Sequence, residues 1–308
     1  MATTTSITTT YAGEKAAGYV SAALLSGDTL SRGLIEIKPN VKYKQVLKRV
    51  STDDILKNAG CDFSATSTVT LDERTLTPES FKVNLQLCKE DFRSDFDALE
   101  MGYSAHDELP KSFVDFIIAF AAEKVAAKNE TNIWGGVNAN DGEFDGFETL
   151  LATDANLPAA QEVTGITLTA GNIVDEIAKV VDAIPNRLFK EDLCIYIPIS
   201  AYRLYVRAQA ALGFVDRFNN QDMGENVMFD GIKLVVCPGM SDDTMICTVK
   251  GNFYFGTGLL SDHNEVRVID MSDVDGSDNV RLVMKMTAAV QYAFSEDVIT
   301  YGIVNAAN

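Results

Sequence analysis

The chain has 308 residues, 46% of them hydrophobic, and its 44 acidic and 26 basic residues give a net charge of −18. A chain of this length forms either one large domain or roughly two to three small ones, and its hydrophobic fraction is that of a globular protein. The acidic balance excludes a protein that coats nucleic acid by neutralising phosphates, because the necessary excess of cations is missing.

Neither a signal peptide nor a membrane span is predicted. The N-terminal sequence MATTTSITTT lacks the basic start and the apolar core of a signal peptide, and we expect it to be a tail. The longest apolar helical pattern is interrupted by Asp115, Glu123 and Lys124. It therefore does not qualify as a transmembrane helix, and no membrane partner is expected.

The first ninety residues alternate between short apolar segments and polar stretches. Residues 11–25 predict a short helix, and residues 34–37 predict a strand that stops at Pro39. Residues 42–50 predict a basic strand, and residues 81–88 predict a strand with clean apolar–polar alternation. Because a long polar segment separates these two strands, we expect them to form an extended β-hairpin. Such a hairpin has too little core to be stable alone and needs a partner.

Residues 108–132 predict one long helix, which follows the capping residue Asp107 and stops before Gly135 and Gly136. At about 1.5 Å per residue it is roughly 37 Å long. Its apolar face comprises Phe113, Val114, Ile117, Ile118, Phe120, Ala121 and Val125. Its polar face comprises Glu108, Lys111, Ser112, Asp115, Glu123 and Glu130. We expect the half from Phe113 to Val125 to be buried on a sheet, and the end with Lys124 and Lys128 to lie near a surface or a neighbouring subunit.

The second half of the chain predicts an α+β unit followed by strands. Helical periodicity at residues 173–184 ends at Pro185, and Ser200 is placed to cap a helix at 201–211. Apolar runs predict strands at 193–197, 231–237, 244–249, 253–255, 265–270 and 279–294.

No catalytic, cofactor-binding or metal-binding residue is predicted. His106 and His263 have no cysteine or second histidine at ligand spacing, and no nucleophile elbow or glycine-rich phosphate loop is present. Asp141, Glu143 and Asp145 match the start of a calcium loop, but its twelfth position is Ala152, so a plain loop is favoured. The acidic run at 273–278 is interpreted as a turn. The five cysteines have no CxxC spacing and are expected to be buried thiols: Cys61, Cys88, Cys194, Cys237 and Cys247.

The order of these elements resembles that of the major capsid proteins of tailed bacteriophages, which have the Hong Kong 97 fold. The most specific stretch is residues 229–240, where a glycine precedes an apolar strand that ends in a Pro and Met loop. Residues 144–150 are similar to a glycine-marked segment that commonly follows the long helix. The resemblance implies an α+β fold with an N-terminal arm (1–34), an extension loop (35–88), a peripheral domain (89–168, with the spine helix 108–132), an axial domain (169–260) and a return to the peripheral domain (261–308).

The resemblance further implies a structural protein, not an enzyme, that self-assembles into pentamers and hexamers of an icosahedral head enclosing double-stranded DNA. Scaffold, portal and decoration proteins are the implied further partners, and the virion is the implied location after assembly in the host cytoplasm. The basic segment 42–49 is expected to meet acidic surface on another copy, with nucleic acid as the alternative. An encapsulin-like nanocompartment shell is the main alternative, and a soluble acidic enzyme is the third class. Lys42, Lys44 and Lys48 carry no motif that would select one of them for a crosslink.

Overall fold

The computed structural model describes residues 28–41, 43–52, 55–58, 68–88, 111–211, 213, 227–258 and 266–307. The helix predicted at 11–25, the cap at Asp107 and both histidines lie outside these ranges. The α-helices within them are α1 (Asp28–Ser31), α2 (Lys111–Gly135), α3 (Phe147–Leu151), α4 (Ile173–Asp182), α5 (Ile199–Ala211) and α6 (Ser272–Asp275). Short 3-10 helices span Ala159–Gln161, Leu188–Lys190 and Ser295–Asp297.

The strands of the described residues form three sheets of five, six and two strands. In chain order they are β1 (Glu36–Lys38), β2 (Gln45–Thr52), β3 (Val69–Leu76), β4 (Glu79–Cys88), β5 (Glu162–Val163), β6 (Leu193–Pro198), β7 (Met228–Phe229), β8 (Ile232–Cys237), β9 (Met245–Val249), β10 (Phe253–Thr257), β11 (Val266–Asp270), β12 (Asn279–Tyr292) and β13 (Val298–Tyr301). This mixture of helices and strands agrees with the predicted α+β class.

Strand β12 is the centre of the five-stranded sheet. On one side it pairs antiparallel with β4, from Asn279 opposite Cys88 to Ala288 opposite Glu79. On the other side it pairs with β11 and then with β10, and β1 joins β10 in parallel. Alternate side chains point to opposite faces of a sheet, and the predicted inward set is confirmed as buried: Leu282, Met284 and Met286.

The six-stranded sheet has the order β5-β13-β9-β6-β8-β7, and helices α4 and α5 cover one of its faces. Every residue of β6 is buried, which is typical of a strand covered on both faces. The core under the helices includes Ile177, Ile195, Tyr205, Leu234 and Ile299.

The other face of this sheet shares a core with the five-stranded sheet. Trp134, near the end of α2, contacts the rings of Phe147, Tyr196 and Phe253 at centroid distances of 5.6, 5.3 and 6.2 Å. Tyr196 belongs to β6 and Phe253 to β10. This aromatic cluster, defined by these four residues, therefore joins both sheets to the spine helix α2.

The hairpin predicted between residues 42–50 and 81–88 is wrong. Strand β2 pairs instead with β3, from Gln45 opposite Leu76 to Thr52 opposite Val69, while β4 pairs with β12. Strand β3 lies in a stretch that was interpreted as a polar connection, because its apolar side chains are few and alternate with charged ones. Strand β4 needs a partner of its own length with a buried face, and β12 provides it.

The spine helix differs from the prediction at its C-terminal end. It continues to Gly135 instead of ending at residue 132, and among the helix side chains whose burial the structure describes, those at this end are the most deeply buried. Trp134 is fully buried, whereas Phe120 in the predicted apolar half is 41% exposed. Glu130, assigned to the polar face, is also fully buried, because it lies one turn before Trp134 on the same side of the helix. Within the predicted half, the burial of Ile117 and Ala121 is confirmed.

Two further bounds differ from the predictions. Helix α5 begins at Ile199, so Ser200 lies inside it, and its hydroxyl donates a hydrogen bond to Asp242. The strand predicted at residues 279–294 ends at Tyr292, and a 3-10 helix separates it from β13, which pairs with β9. The domain boundaries remain predictions. We note that β10, within 169–260, lies in the five-stranded sheet and that β13, within 261–308, lies in the six-stranded sheet.

Candidate assembly surfaces

The part of the chain that the structure describes contains no group of three or more His, Cys, Asp and Glu side chains that could hold a metal ion. Nor does it contain a helix whose length and hydrophobicity would allow it to span a bilayer. The features that distinguish this molecule are an exposed apolar hairpin face and the contacts that fix the hairpin to the body.

Hairpin β2–β3 carries its exposed valine and leucine side chains on one face. Residues directly opposite each other in an antiparallel ladder share a face, and on this one Val50 lies opposite Leu71. Together with Val46 and Val69 they form the apolar hairpin face, whose four side chains are between 42% and 69% exposed. Exposed apolar side chains that are grouped on one face in this way mark an interaction surface.

The root of the hairpin is packed tightly into the five-stranded sheet. Leu76, the last residue of β3, is fully buried with Val41 and Ala289. A Cβ atom on Gly256 of β10 would lie 2.6 Å from Cδ2 of Leu76, so only glycine admits this leucine. The hairpin therefore leaves the body at a fixed point.

A polar contact reinforces the same root. The Arg74 guanidinium lies 2.5 Å from Oδ2 of Asp154 and stacks 4.3 Å from the centroid of the Tyr292 ring. The Tyr292 hydroxyl donates to the same carboxylate at 2.7 Å. Burial raises the pKa of Asp154, but hydrogen bonds from Tyr292, the Asn156 backbone N–H and Arg74 outweigh it, so the net shift is downward. We call Arg74, Asp154 and Tyr292 the root contact.

The first described segment is attached to the spine helix by a buried hydrogen-bond network. The Glu130 carboxylate accepts hydrogen bonds from the backbone N–H of Thr29, at 3.2 Å, and from the Thr29 hydroxyl. The same hydroxyl accepts a hydrogen bond from Nε1 of Trp134 at 3.2 Å. A buried carboxylate is tolerated only with such donors, which explains why Glu130 can occupy the core.

The two stretches that carried the family resemblance meet at the end of the spine helix. A Cβ atom on Gly239 would lie 2.1 Å from the backbone oxygen of Glu130, and one on Gly146 would lie 2.5 Å from that of Trp134. Both positions therefore require glycine so that two backbones can approach each other. The neighbouring Met240 is buried in the core shared by the two sheets.

The loop after the spine helix uses its carboxylates internally. Glu143 accepts hydrogen bonds from Lys128, from the Asn140 side chain and from the Val137 backbone N–H. These contacts, that of Lys128 above all, lower the pKa of Glu143 from 4.5 to about 2. Lys124 and Lys128 are both exposed, in agreement with their predicted position near a surface.

Four of the five cysteines fall in described residues, and all four are free thiols. Cys194, Cys237 and Cys247 are buried as predicted, while Cys88 is half-buried. Burial raises the pKa of the Cys247 thiol, which keeps it protonated and unreactive.

Comparison with known proteins identifies the fold. No family model and no curated protein matches the sequence. Among solved structures, the capsid of a native GTA particle superposes with a TM-score of 0.59 at 11% identity, over 94% of this chain and 98% of that one. Mycobacterium phage Adephagia gives 0.59 at 15% identity, over 94% and 93%. The procapsid of satellite phage P4 gives 0.56 at 12% identity, over 96% and 92%.

This chain has the fold of tailed-phage major capsid proteins. The resemblance in the order of elements is thereby confirmed over nearly the whole chain. Because the identities lie between 11% and 15%, the match defines the capsid-protein fold. Whether and how this chain contacts other copies has to be inferred from its own surfaces.

The residues that anchor the hairpin were not identified from the sequence. Arg74 and Asp154 are 80 positions apart, and Asp154 and Tyr292 are 138 apart, so only the fold brings them together. The one local indication was the alternation of Val69 and Leu71 in β3, which is too short to distinguish a strand from a polar connection.

Proposed function

We propose that the chain is the major capsid protein of a tailed phage, which self-assembles into pentamers and hexamers of an icosahedral head enclosing double-stranded DNA. The observation that carries this proposal is the apolar hairpin face on a capsid-protein fold. Four aliphatic side chains point away from the body, while the root of the same hairpin is fixed by Leu76 and the root contact.

Burial of this face against a neighbouring copy supplies the energy for assembly. Burying apolar area contributes about 25 cal/mol per Å², and a closed shell repeats the same contact on every subunit. This gain has to exceed the mutual repulsion of chains that each carry a charge of −18. Repetition also makes dissociation slow, because a subunit leaves the shell only when several contacts break together.

The regions of the chain take the roles implied by the fold. Residues 1–34 form the arm, 35–88 the extension loop with its hairpin β2–β3, 89–168 and 261–308 the peripheral domain, and 169–260 the axial domain. The role is structural and not enzymatic. The DNA is confined by the acidic wall and not bound to it, and scaffold, portal and decoration proteins complete the virion after assembly in the host cytoplasm.

Assembly of the purified full-length chain tests the proposal. We expect light scattering to rise above a threshold concentration, and electron microscopy to show closed shells with five-fold vertices. Particles isolated from infected cells should contain nuclease-protected double-stranded DNA. A chain that stays monomeric at all concentrations and salt conditions would contradict the proposal, and small shells filled with protein cargo would indicate the encapsulin-like alternative.

A further inference from the structure

Helices α4 and α5 lie side by side on one face of the six-stranded sheet. Helix α4 packs over β13, next to the edge strand β5, whereas α5 packs over β6 and β8, next to the edge strand β7. The two helices therefore occupy opposite sides of the same layer. Their exposed surfaces carry opposite charges.

Helix α4 presents an acidic stripe. Asp175 and Asp182 are exposed, while the charge of Lys179 is balanced by the buried Glu176 at 2.8 Å. Asp182 is the last residue of the helix, where the macrodipole disfavours a negative charge. The helix therefore gains nothing from this aspartate within the chain.

Helix α5 presents a basic stripe. Its sequence ISAYRLYVRAQAA contains no acidic residue, and Arg203 and Arg207 are both exposed. Residues four apart are neighbours on a helix surface, so these two arginines repel each other. Within the described residues, neither of these two arginines forms an ion pair, and neither of the two α4 aspartates does.

We propose that α4 of one copy docks against α5 of the next copy, with the stripe Asp175–Asp182 facing the stripe Arg203–Arg207. This inference rests on the proposed function and names a contact that would build its rings. The aspartates are about 10 Å apart along their helix and the arginines about 6 Å. Long guanidinium side chains span this difference and bind carboxylates in bidentate fashion.

The geometry favours a second copy over nucleic acid as the occupant. A phosphate backbone approaching α5 would meet the acidic stripe of α4 in the same layer, whereas a second copy offers acids to α5 and arginines to α4. Since the two stripes differ, the contact is heterologous, and its repetition generates a ring when the rotation closes. Charge pairs at such a contact set its register and its specificity.

Charge reversal and charge exchange test this contact. The variant Arg203→Glu/Arg207→Glu makes both stripes acidic, and Asp175→Lys/Asp182→Lys makes both basic. We expect each to raise the threshold concentration for assembly by about tenfold or more, because every contact then becomes repulsive. A four-fold variant that combines both changes restores opposite charges and should return the threshold to within about threefold of wild type.

The double variant Lys82→Glu/Lys285→Glu is the matched control. It makes the same change in net charge as Arg203→Glu/Arg207→Glu, but on the exposed face of the other sheet, and it should form capsomer rings as the wild type does. Circular dichroism and thermal melting verify that all variants are folded. The contact is excluded if the charge-reversed chains assemble like the wild type, or if the four-fold variant assembles no better than they do.

Shell formation by the wild-type chain tests the proposed function, whereas its dependence on these four residues tests the contact. Sedimentation of the two charge-reversed stripe variants, alone and mixed, distinguishes failure of this contact from failure of the proposed function even if no shell forms. Chains with only acidic stripes and chains with only basic stripes should associate when mixed and stay apart when alone. Equal sedimentation of the mixture and the separate variants would overturn the contact.

Discussion

Apolar side chains are fully buried in strand β6, whereas several of those in hairpin β2–β3 are exposed. All six residues of β6 are buried, between the core under α4 and α5 on one face and the aromatic cluster on the other. In the hairpin, every residue of β2 is paired with a residue of β3, but four side chains remain exposed: Val46, Val50, Val69 and Leu71. The chain buries β6 by itself, whereas the hairpin face stays exposed on the single subunit.

The root contact lies between the buried part of the molecule and the exposed face of the hairpin. Arg74 and Leu76 belong to the same strand as the exposed Leu71, yet both are held by the body of the molecule. A hairpin fixed at its root presents its apolar face in one orientation. It therefore loses less conformational entropy when a neighbouring copy covers that face.

Substitution of a buried core residue should have the largest effect on the stability of the subunit. We expect Trp134→Ala to lower the free energy of unfolding of the isolated subunit by about 3–5 kcal/mol, because it leaves a cavity between both sheets and the spine helix. Chemical denaturation of dissociated subunits measures this change. The control Phe120→Ala lies on the same helix, where the side chain is 41% exposed, and should lower it by less than about 1 kcal/mol. Equal losses for the two variants would contradict the assignment of the core.

The root contact should show an intermediate, pH-dependent effect. We expect Arg74→Ala to lower the free energy of unfolding by about 1–3 kcal/mol at neutral pH, because it leaves the buried Asp154 carboxylate without its cation. The pKa of Asp154 is depressed in the folded chain, so its stabilising contribution is present above the ordinary value of 3.8 and is lost as the pH falls through the depressed one. Denaturation at neutral pH and at about pH 3 should therefore show a smaller difference between variant and wild type in acid.

Lys48→Ala provides the control for this prediction, because Lys48 is exposed on the apolar side of the same hairpin. It should change the free energy of unfolding by less than about 0.5 kcal/mol at either pH. A difference between Arg74→Ala and wild type that stays constant with pH would show that Asp154 does not depend on the arginine.

Substitutions on the exposed hairpin face should have almost no effect on the stability of the subunit and a large effect on assembly. We expect Val50→Ser/Leu71→Ser to change the free energy of unfolding by less than about 0.5 kcal/mol and to abolish shell formation in light scattering. The control Ile166→Ser/Val304→Ser removes side chains that are 50% and 85% exposed elsewhere on the surface. Loss of assembly in both variants would show that general surface hydrophobicity, and not the hairpin face, is required.

Local periodicity was sufficient to predict the elements that pack within the chain. The alternation in β12 and the apolar runs of β6, β8 and β9 identified strands whose burial pattern repeats every two residues or is continuous. Helix α4 was predicted from its 3.6-residue periodicity, although Glu176 on its assumed polar face is buried beside Tyr301.

Pairing and polar burial could not be predicted in the same way. Strand β4 was predicted to pair with the strand at residues 42–50, but its partner is β12, which begins at Asn279, opposite Cys88. Glu130 is buried because Thr29 supplies donors from a distance of 101 residues. Strand β3 was missed because its apolar residues face outward, toward an expected partner, so that the chain alone shows no core pattern. The errors therefore concentrate on residues whose environment is made by distant segments of the chain and on a hairpin face that no segment of the described chain covers.

The smallest effect is expected outside both the core and the hairpin, in the loop after the spine helix. We expect Lys128→Gln to raise the pKa of Glu143 from about 2 toward its ordinary value of 4.5, because Lys128 is the main cause of the depression. In the wild type, the contribution of this carboxylate is present above the ordinary pKa and is lost as the pH falls from 4.5 toward 2. Nuclear magnetic resonance titration of the Glu143 carboxyl carbon measures the shift, and Lys124→Gln, one turn earlier, should leave it unchanged. A wild-type pKa close to 4.5 would show that the loop is not held by this pair, and that the lysine end of the spine helix is free to contact a neighbouring subunit.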